Sequence, residues 1–210
     1  MIQRALALMI LLVAPVAPAP AAAAEPAAPS AAAPAPAGPT VEFEQTSLPA
    51  REKELLSRYA QQVNRWAMIQ RVSQAVGAAN AKPMSEERIR AIDAAWQKGG
   101  DPEGLATSLM QNDCARALQA VLASNPGWGE AFATDARGAI VCMSQRTSDY
   151  WQGDEAKFTR AWADGAGAVF VSAAQKDEST GLQLFHISVP VMVAGKVGGV
   201  LIFGKLAGSG

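Results

Sequence analysis

The chain is poor in the residues that usually carry chemistry. It has one histidine, His186, and two cysteines, Cys114 and Cys142, in 210 residues. There is no Cys-x-x-Cys and no His pair, so metal-ligand spacing is absent and a zinc site of the usual kind is not expected. A serine hydrolase needs a base, and only His186 could serve; the Gly-x-Ser-x-Gly elbow is missing. Gly195-Lys-Val-Gly198-Gly199 fits neither nucleotide-binding glycine pattern, so no cofactor is implied. Acidic residues at Asp149, Asp154 and Glu155 sit at a helix start, where a carboxylate pair needs no catalytic explanation. The formal net charge is −1, which leaves no polybasic footprint for nucleic acid. Past the N-terminus no apolar run is long enough to span a bilayer: Leu182 to Leu206 is interrupted by Gln183, His186, Pro190, Gly195 and Lys196.

What is present begins with a strong asymmetry. Arg4 and the apolar Ala5–Ala14 run, ended by Pro15 and followed by small residues, read as a secretory signal peptide over residues 1–24 with cleavage after Ala24. An uncleaved membrane anchor is the alternative. Residues 25–45 read as an Ala/Pro-rich disordered tether, and residues 46–207 as one domain. A signal peptide makes disulfides permissible. Cys114 falls on an expected helix and Cys142 on an expected strand; a single bridge and two buried thiols both remain open, since sequence carries no Cα separation.

The first half of the domain is helical. Ser47 and Pro49 start a helix whose apolar positions Leu55, Leu56, Tyr59, Val63, Trp66, Ile69, Val72 and Val76 keep a three-four spacing, predicting one continuous amphipathic helix with Met68 off the stripe. That stripe packs on its own domain or forms a dimer seam. Ser85-Glu-Glu caps a short second helix ended by Gly99-Gly100. Asp101-Pro-Glu opens a third, running to about Ser124 with a break expected at Asn112-Asp113.

The period then changes. Glu130–Thr134, the Asp135-Ala-Arg-Gly138 turn and Ala139–Ser144 read as a hairpin. A polar loop leads through Tyr150-Trp151 to a helix over Gly153–Ala163, followed by strands at Ala168–Ser172, Leu182–Met192 and Val197–Leu206. The expected fold is α+β: a helical N-terminal half with a long helix packed on a five-stranded antiparallel sheet, the helices covering one face. Gly198, Gly199 and Gly204 leave little bulk on the last strand, as where a backbone or a ligand approaches closely.

Three passages resemble the Cache superfamily of extracytoplasmic sensor domains, also called PDC sensors, whose core is PAS-like. They are the hairpin Phe132–Val141, the segment Thr147–Phe158 entering the middle helix, and Ile187-Ser-Val-Pro-Val191 with Ala194-Gly-Lys-Val-Gly-Gly-Val-Leu201. The resemblance implies a PAS-like sheet and a small-molecule pocket between that sheet and the loops flanking the middle helix. Such modules are usually the outer half of a transmembrane receptor; this chain departs from that pattern, with no second span expected, and reads as a secreted, periplasmic module without its own transmembrane signalling region. Its partners would be an unknown small molecule and a membrane receptor or another periplasmic protein. An amino-acid recognition motif is not evident.

Candidate ligand-binding residues are Arg146, Asp149, Tyr150, Trp151, Asp154, His186 and Ser188. Aromatics supply area and Asp149 an anchor for an amine. His186 and Ser188 share a strand face. Each has a structural alternative: core packing for the aromatics, a helix cap for Asp154, a solvated charge for Arg146, a local hydrogen bond for His186. A protein–protein adaptor with a filled pocket is the second functional reading.

Overall fold

The computed structural model describes residues 40–178 and 181–208. The expected signal peptide and most of the tether lie outside the described residues. The tether's last residues do not follow the expectation. Val41–Phe43 form a strand, β1, whose register runs from Val41 opposite Val169 to Phe43 opposite Val171. Val41 and Phe43 pack on the core, and Glu42 on the other side pairs with Arg160. Three alternating residues are too few to stand out beside an Ala/Pro run.

The long helix is two helices, α1 (Ala50–Trp66) and α2 (Gln70–Ala81). Between them the amides of Met68 and Ile69 bond back to Arg65 and Trp66, Ile69 turns extended, and Met68 is left 82% exposed. The reason is size. A straight helix of about 30 residues would run ~45 Å, beyond the ~36 Å of an 11-residue strand. The break keeps Leu56, Ala60, Val63, Val72 and Val76 on the same core. Leu55, Tyr59 and Trp66 of α1 stay only partly buried.

α3 (Glu86–Trp96) is capped by Ser85, whose hydroxyl accepts from the Arg88 amide. Asp101 and Pro102 begin a single 3₁₀ turn, with Glu103 and Gly104 left-handed, so the next helix starts only at Leu105. α4 (Leu105–Gln111) and α5 (Asp113–Ser124) divide at Asn112, whose side chain caps α5 through the Ala115 amide. α6 (Ala156–Trp162) follows the polar loop and stacks Phe158 on Trp162.

The sheet comprises β1, β2 (Trp128–Thr134), β3 (Ile140–Met143), β4 (Val169–Val171), the two-residue β5 (Gln175–Lys176), β6 (Gln183–Val193) and β7 (Lys196–Leu206). Its order is β1-β4-β6-β7-β2-β3, with β5 paired to β6. The five expected strands are the contiguous antiparallel core, β4-β6-β7-β2-β3. β1, parallel to β4, and β5 extend it to seven. Ala194 and Gly195 join β6 to β7, both at positive φ, the two-residue hairpin turn whose twist matches the strands.

Helices cover both faces, where one was expected. α1, α2 and α5 pack on alternate positions such as Ala133, Ile187, Val189, Leu201 and Phe203. The opposite positions, Phe132, Phe170, Val200 and Ile202, form a second core with Phe158 of α6, Leu109 of α4 and Trp96 of α3. A sheet with alternation buried on both sides needs both layers. At Gly199 an added Cβ would lie 2.0 Å from the Thr134 carbonyl oxygen, so the close approach expected of that strand is backbone against backbone.

Cys114 of α5 and Cys142 of β3 are disulfide-bonded, Cα atoms 5.8 Å apart and 28 residues apart in sequence. The bridge fastens α5 to the edge strand. Closing a loop of that length stabilises by about 3.5 kcal/mol in the chain-entropy account. Replacing both cysteines with alanine is therefore expected to lower unfolding free energy by about 3 kcal/mol. Urea unfolding of the double variant checks this, and reductant should shift the wild-type midpoint to the same place.

Candidate functional site

Even-numbered positions of β6 face the second core. There Leu184, His186 and Ser188 are all buried. His186, 1% exposed, lies opposite Gly204 of β7, and Gly204 lies opposite Glu130 of β2. The central residue of this row has no side chain. A Cβ there would meet the Glu130 Cγ at 2.8 Å. Its absence lets Glu130 and His186 meet across the intervening strand, Oε1 to Nε2 at 2.8 Å. Asp177, after β5, brings Oδ2 to 3.9 Å from the same nitrogen. His186 Nδ1 and Ser188 Oγ are buried with no hydrogen-bond partner among the described residues. Among the described residues Ser172 accepts from the His186 backbone amide and not from its ring.

His186 and Asp177 open onto a cleft of about 500 Å³ between the sheet, β5, the polar loop and the start of α6. Ser148, Asp149, Glu155 and Lys157 line one side, Lys176 and Glu178 the other. Four carboxylates (Asp149, Glu155, Asp177, Glu178) face two lysines, so the cleft favours positive charge. Asp149 accepts from Gln152 Nε2 at 2.6 Å and from Ser148 Oγ at 3.2 Å. Burial pushes its carboxyl above the ordinary aspartate range, against the opposing pull of Lys157. Gln152 is fully buried, and its Oε1 also lacks a partner.

Of the residues singled out in the sequence, Asp149 and His186 line this cleft, and Ser188 lies on the same strand face two residues beyond His186. The others are placed elsewhere. Arg146 stacks on Trp96 and donates to the carbonyls of Trp96 and Gly100, so it ties α3 to the loop. Trp151 donates its indole N–H to the Arg137 carbonyl, with the Arg90 guanidinium 3.6 Å from its ring centroid. Tyr150 packs against Trp96 and borders a different groove of about 560 Å³, beside Asp135, α2 and α4. Burial, then the neighbouring Asp135 charge, pushes its hydroxyl up to about 12. Asp154 is exposed, and the cap position of α6 is Glu155, which makes no side-chain cap bond.

Sequence reasoning missed Glu130, Asp177 and Lys157. Glu130 is 56 residues from His186, and only strand order brings them together. It also missed Asp93 of α3, whose Oδ1 accepts from both the Tyr150 and Trp151 amides at 2.9 Å. That carboxylate holds the aromatic pair by its backbone, which fixes the loop bearing Asp149.

No protein-family model matches the chain, and no curated protein matches it. Among solved structures it is similar to the ligand-binding domain of a Campylobacter jejuni chemoreceptor in complex with 4-methylisoleucine (15% identity, 74% of this chain and 57% of that one, TM-score 0.39). It is also similar to the ligand-binding domain of a Pseudomonas aeruginosa amino-acid chemoreceptor in complex with GABA (26% identity, 53% and 57%, TM-score 0.36). A third is the sensor domain of the V. cholerae histidine kinase DctB (15% identity, 75% and 58%, TM-score 0.39). The chain thus spans under three fifths of the length of these three chains. The first two are chemoreceptor ligand-binding domains and the third is a histidine kinase sensor domain. At these TM-scores the likeness carries no argument of its own, and the site is read from its residues.

Replacing Asp93 with alanine leaves two loop amides without their acceptor. The expected loss is about 2 kcal/mol of stability, read by denaturant unfolding, with faster hydrogen exchange at the Tyr150 and Trp151 amides than in the wild type.

Proposed function

We propose that the chain is a Cache-type sensor module that binds a small amine-bearing molecule without turning it over. The observation that carries this reading is the cleft itself. It has the volume of a small-ligand site, a buried His186–Glu130 floor, and an excess of carboxylates over lysines at its walls. Asp149 anchors the ligand's cationic nitrogen. Bringing a positive charge to this carboxylate repays the desolvation that raises its pKa. Lys157 and Lys176 can meet an acidic or polar group on the same ligand.

The module acts outside the cytoplasm, in the periplasm, after export by the N-terminal signal and cleavage behind Ala24. The Cys114–Cys142 bond favours an oxidising compartment. No helix among the described residues is long and apolar enough to cross a membrane. In this reading the ligand's message passes to a separate membrane receptor or periplasmic protein. The adaptor reading has a filled pocket; the cleft is open, while Leu55, Tyr59 and Trp66 of α1 are only partly buried.

Isothermal titration against a panel of small amines, amino acids and polyamines tests the reading. A saturable ligand is expected, lost in Asp149→Asn and retained in Trp151→Ala. An amine bound equally well by Asp149→Asn would refute the assignment, as would a panel without a binder.

The pH dependence has a definite sign. Asp149 holds its proton more tightly folded than unfolded. Its contribution to ligand-free stability is full below the ordinary aspartate range and is lost as pH rises through the raised value. Amine binding, which needs the carboxylate, should weaken as pH falls through that same value. Asp149→Asn should accordingly stabilise the ligand-free protein at neutral pH while abolishing amine binding, a pairing that urea unfolding and calorimetry can read together.

A further inference from the structure

Glu130, Asp177 and His186 each offer one donor atom, all within 4.8 Å of one another, and all three residues are buried. We propose that these three side chains bind a divalent transition-metal cation, of the zinc class, at the floor of the cleft. The proposal deepens the sensor reading and shares its cleft, but it stands on this cluster alone.

The spacing suits the ion. Donors about 2.1 Å from a tetrahedral metal lie roughly 3.4 Å apart. The observed separations from His186 Nε2, 2.8 Å to Glu130 Oε1 and 3.9 Å to Asp177 Oδ2, bracket that value. Small side-chain rotations would bring the three onto one centre.

The chemistry suits it as well. One imidazole and two carboxylates form a mixed nitrogen–oxygen set, which favours zinc and its neighbours over magnesium or calcium. On binding, the His186 ring would give its Nε2 lone pair to the metal and carry its hydrogen on Nδ1.

A second observation points the same way. Ser188 Oγ, fully buried on the same strand face as His186, has no partner, as expected of a polar group kept beside a site that is occupied in use. Asp177 and His186 also line the cleft. Three protein ligands would leave a coordination position for a donor atom of a small molecule in the cleft. The ion would then be part of the recognition surface, able to take a donor atom from the ligand.

The test uses the full chain, stripped with chelator, and zinc chloride as probe in the absence of any organic ligand. Calorimetry should give one saturable zinc site per chain, with a raised melting temperature, and magnesium at the same concentration should give neither. Losing a mere hydrogen-bond partner of a metal ligand typically costs roughly 10- to 100-fold in affinity, so Asp177→Asn and His186→Gln should each weaken zinc at least tenfold. His186 is deep enough that its variant could misfold. Asp177 sits at the cleft wall, and Asp177→Asn should keep the wild-type circular dichroism and metal-free melting point. On zinc addition the His186 side-chain ¹⁵N resonances should move to the pattern of an Nε2-metallated, Nδ1-protonated ring. Absence of saturable zinc binding, or zinc bound as tightly by Asp177→Asn as by wild type, overturns the proposal. Amine binding measured on the metal-free protein reports on the sensor reading separately, so either idea can fail alone.

Discussion

The pairing of β6 with β7 is the constraint on which the rest of the molecule depends. Its register is set by the Ala194-Gly195 turn and runs from Val193 opposite Lys196 to Leu184 opposite Leu206, with one irregularity near Met192. Side chains alternate with a period of two, so register decides which residues meet which helical layer. Odd positions of β6 go to α1 and α2, even positions to the cleft side. A slip of one residue would bury Ile187 under the cleft and drive His186 into a wholly apolar core. The two-residue turn is thus as important to the site as any residue lining it.

Legibility followed range along the chain. The five core strands, the Asp135–Gly138 turn, the Ser85 cap and the break at Asn112 are local, and each was readable from a few neighbouring residues. The split between α1 and α2 was not, because the apolar stripe continues through Ile69 without a proline or glycine. What divides it is the length of the sheet beneath. β1 and β5 are too short for any periodicity to register. In the site, His186, Asp149 and Ser188 could be picked out by residue type. Glu130 and Asp177 could not, since their partner comes from another strand. Arg146 and Trp151 lie away from the cleft, their polar handles satisfied by backbone carbonyls of α3, the Gly99-Gly100 stop and the Asp135 turn. A polar aromatic in a loop holds backbone as readily as it holds ligand.

The two faces of the sheet divide labour. One is apolar throughout its middle and supplies adhesion to α1, α2 and α5. The other is apolar along β4 and the centre of β7 but turns polar toward the ends that carry His186 and Glu130. Gly204 marks that change. By leaving an empty place in the centre of a three-strand row, it converts a sheet surface into a floor with depth. Buried polar groups of this kind are costly unless satisfied, and several here, His186 Nδ1, Ser188 Oγ and Gln152 Oε1, have no partner. They cluster near the cleft and are few elsewhere among the described residues.

β1 has a mechanical meaning. It is joined side by side to β4, β4 to β6, and β6 carries His186. A tug on the chain at Thr40 would be borne first by the three-residue ladder between β1 and β4, which lies nearest the pulled end. Below the load that breaks this ladder, tension is delivered straight to the strand under the cleft. The N-terminal end of the described domain is therefore a handle on the strand under the cleft.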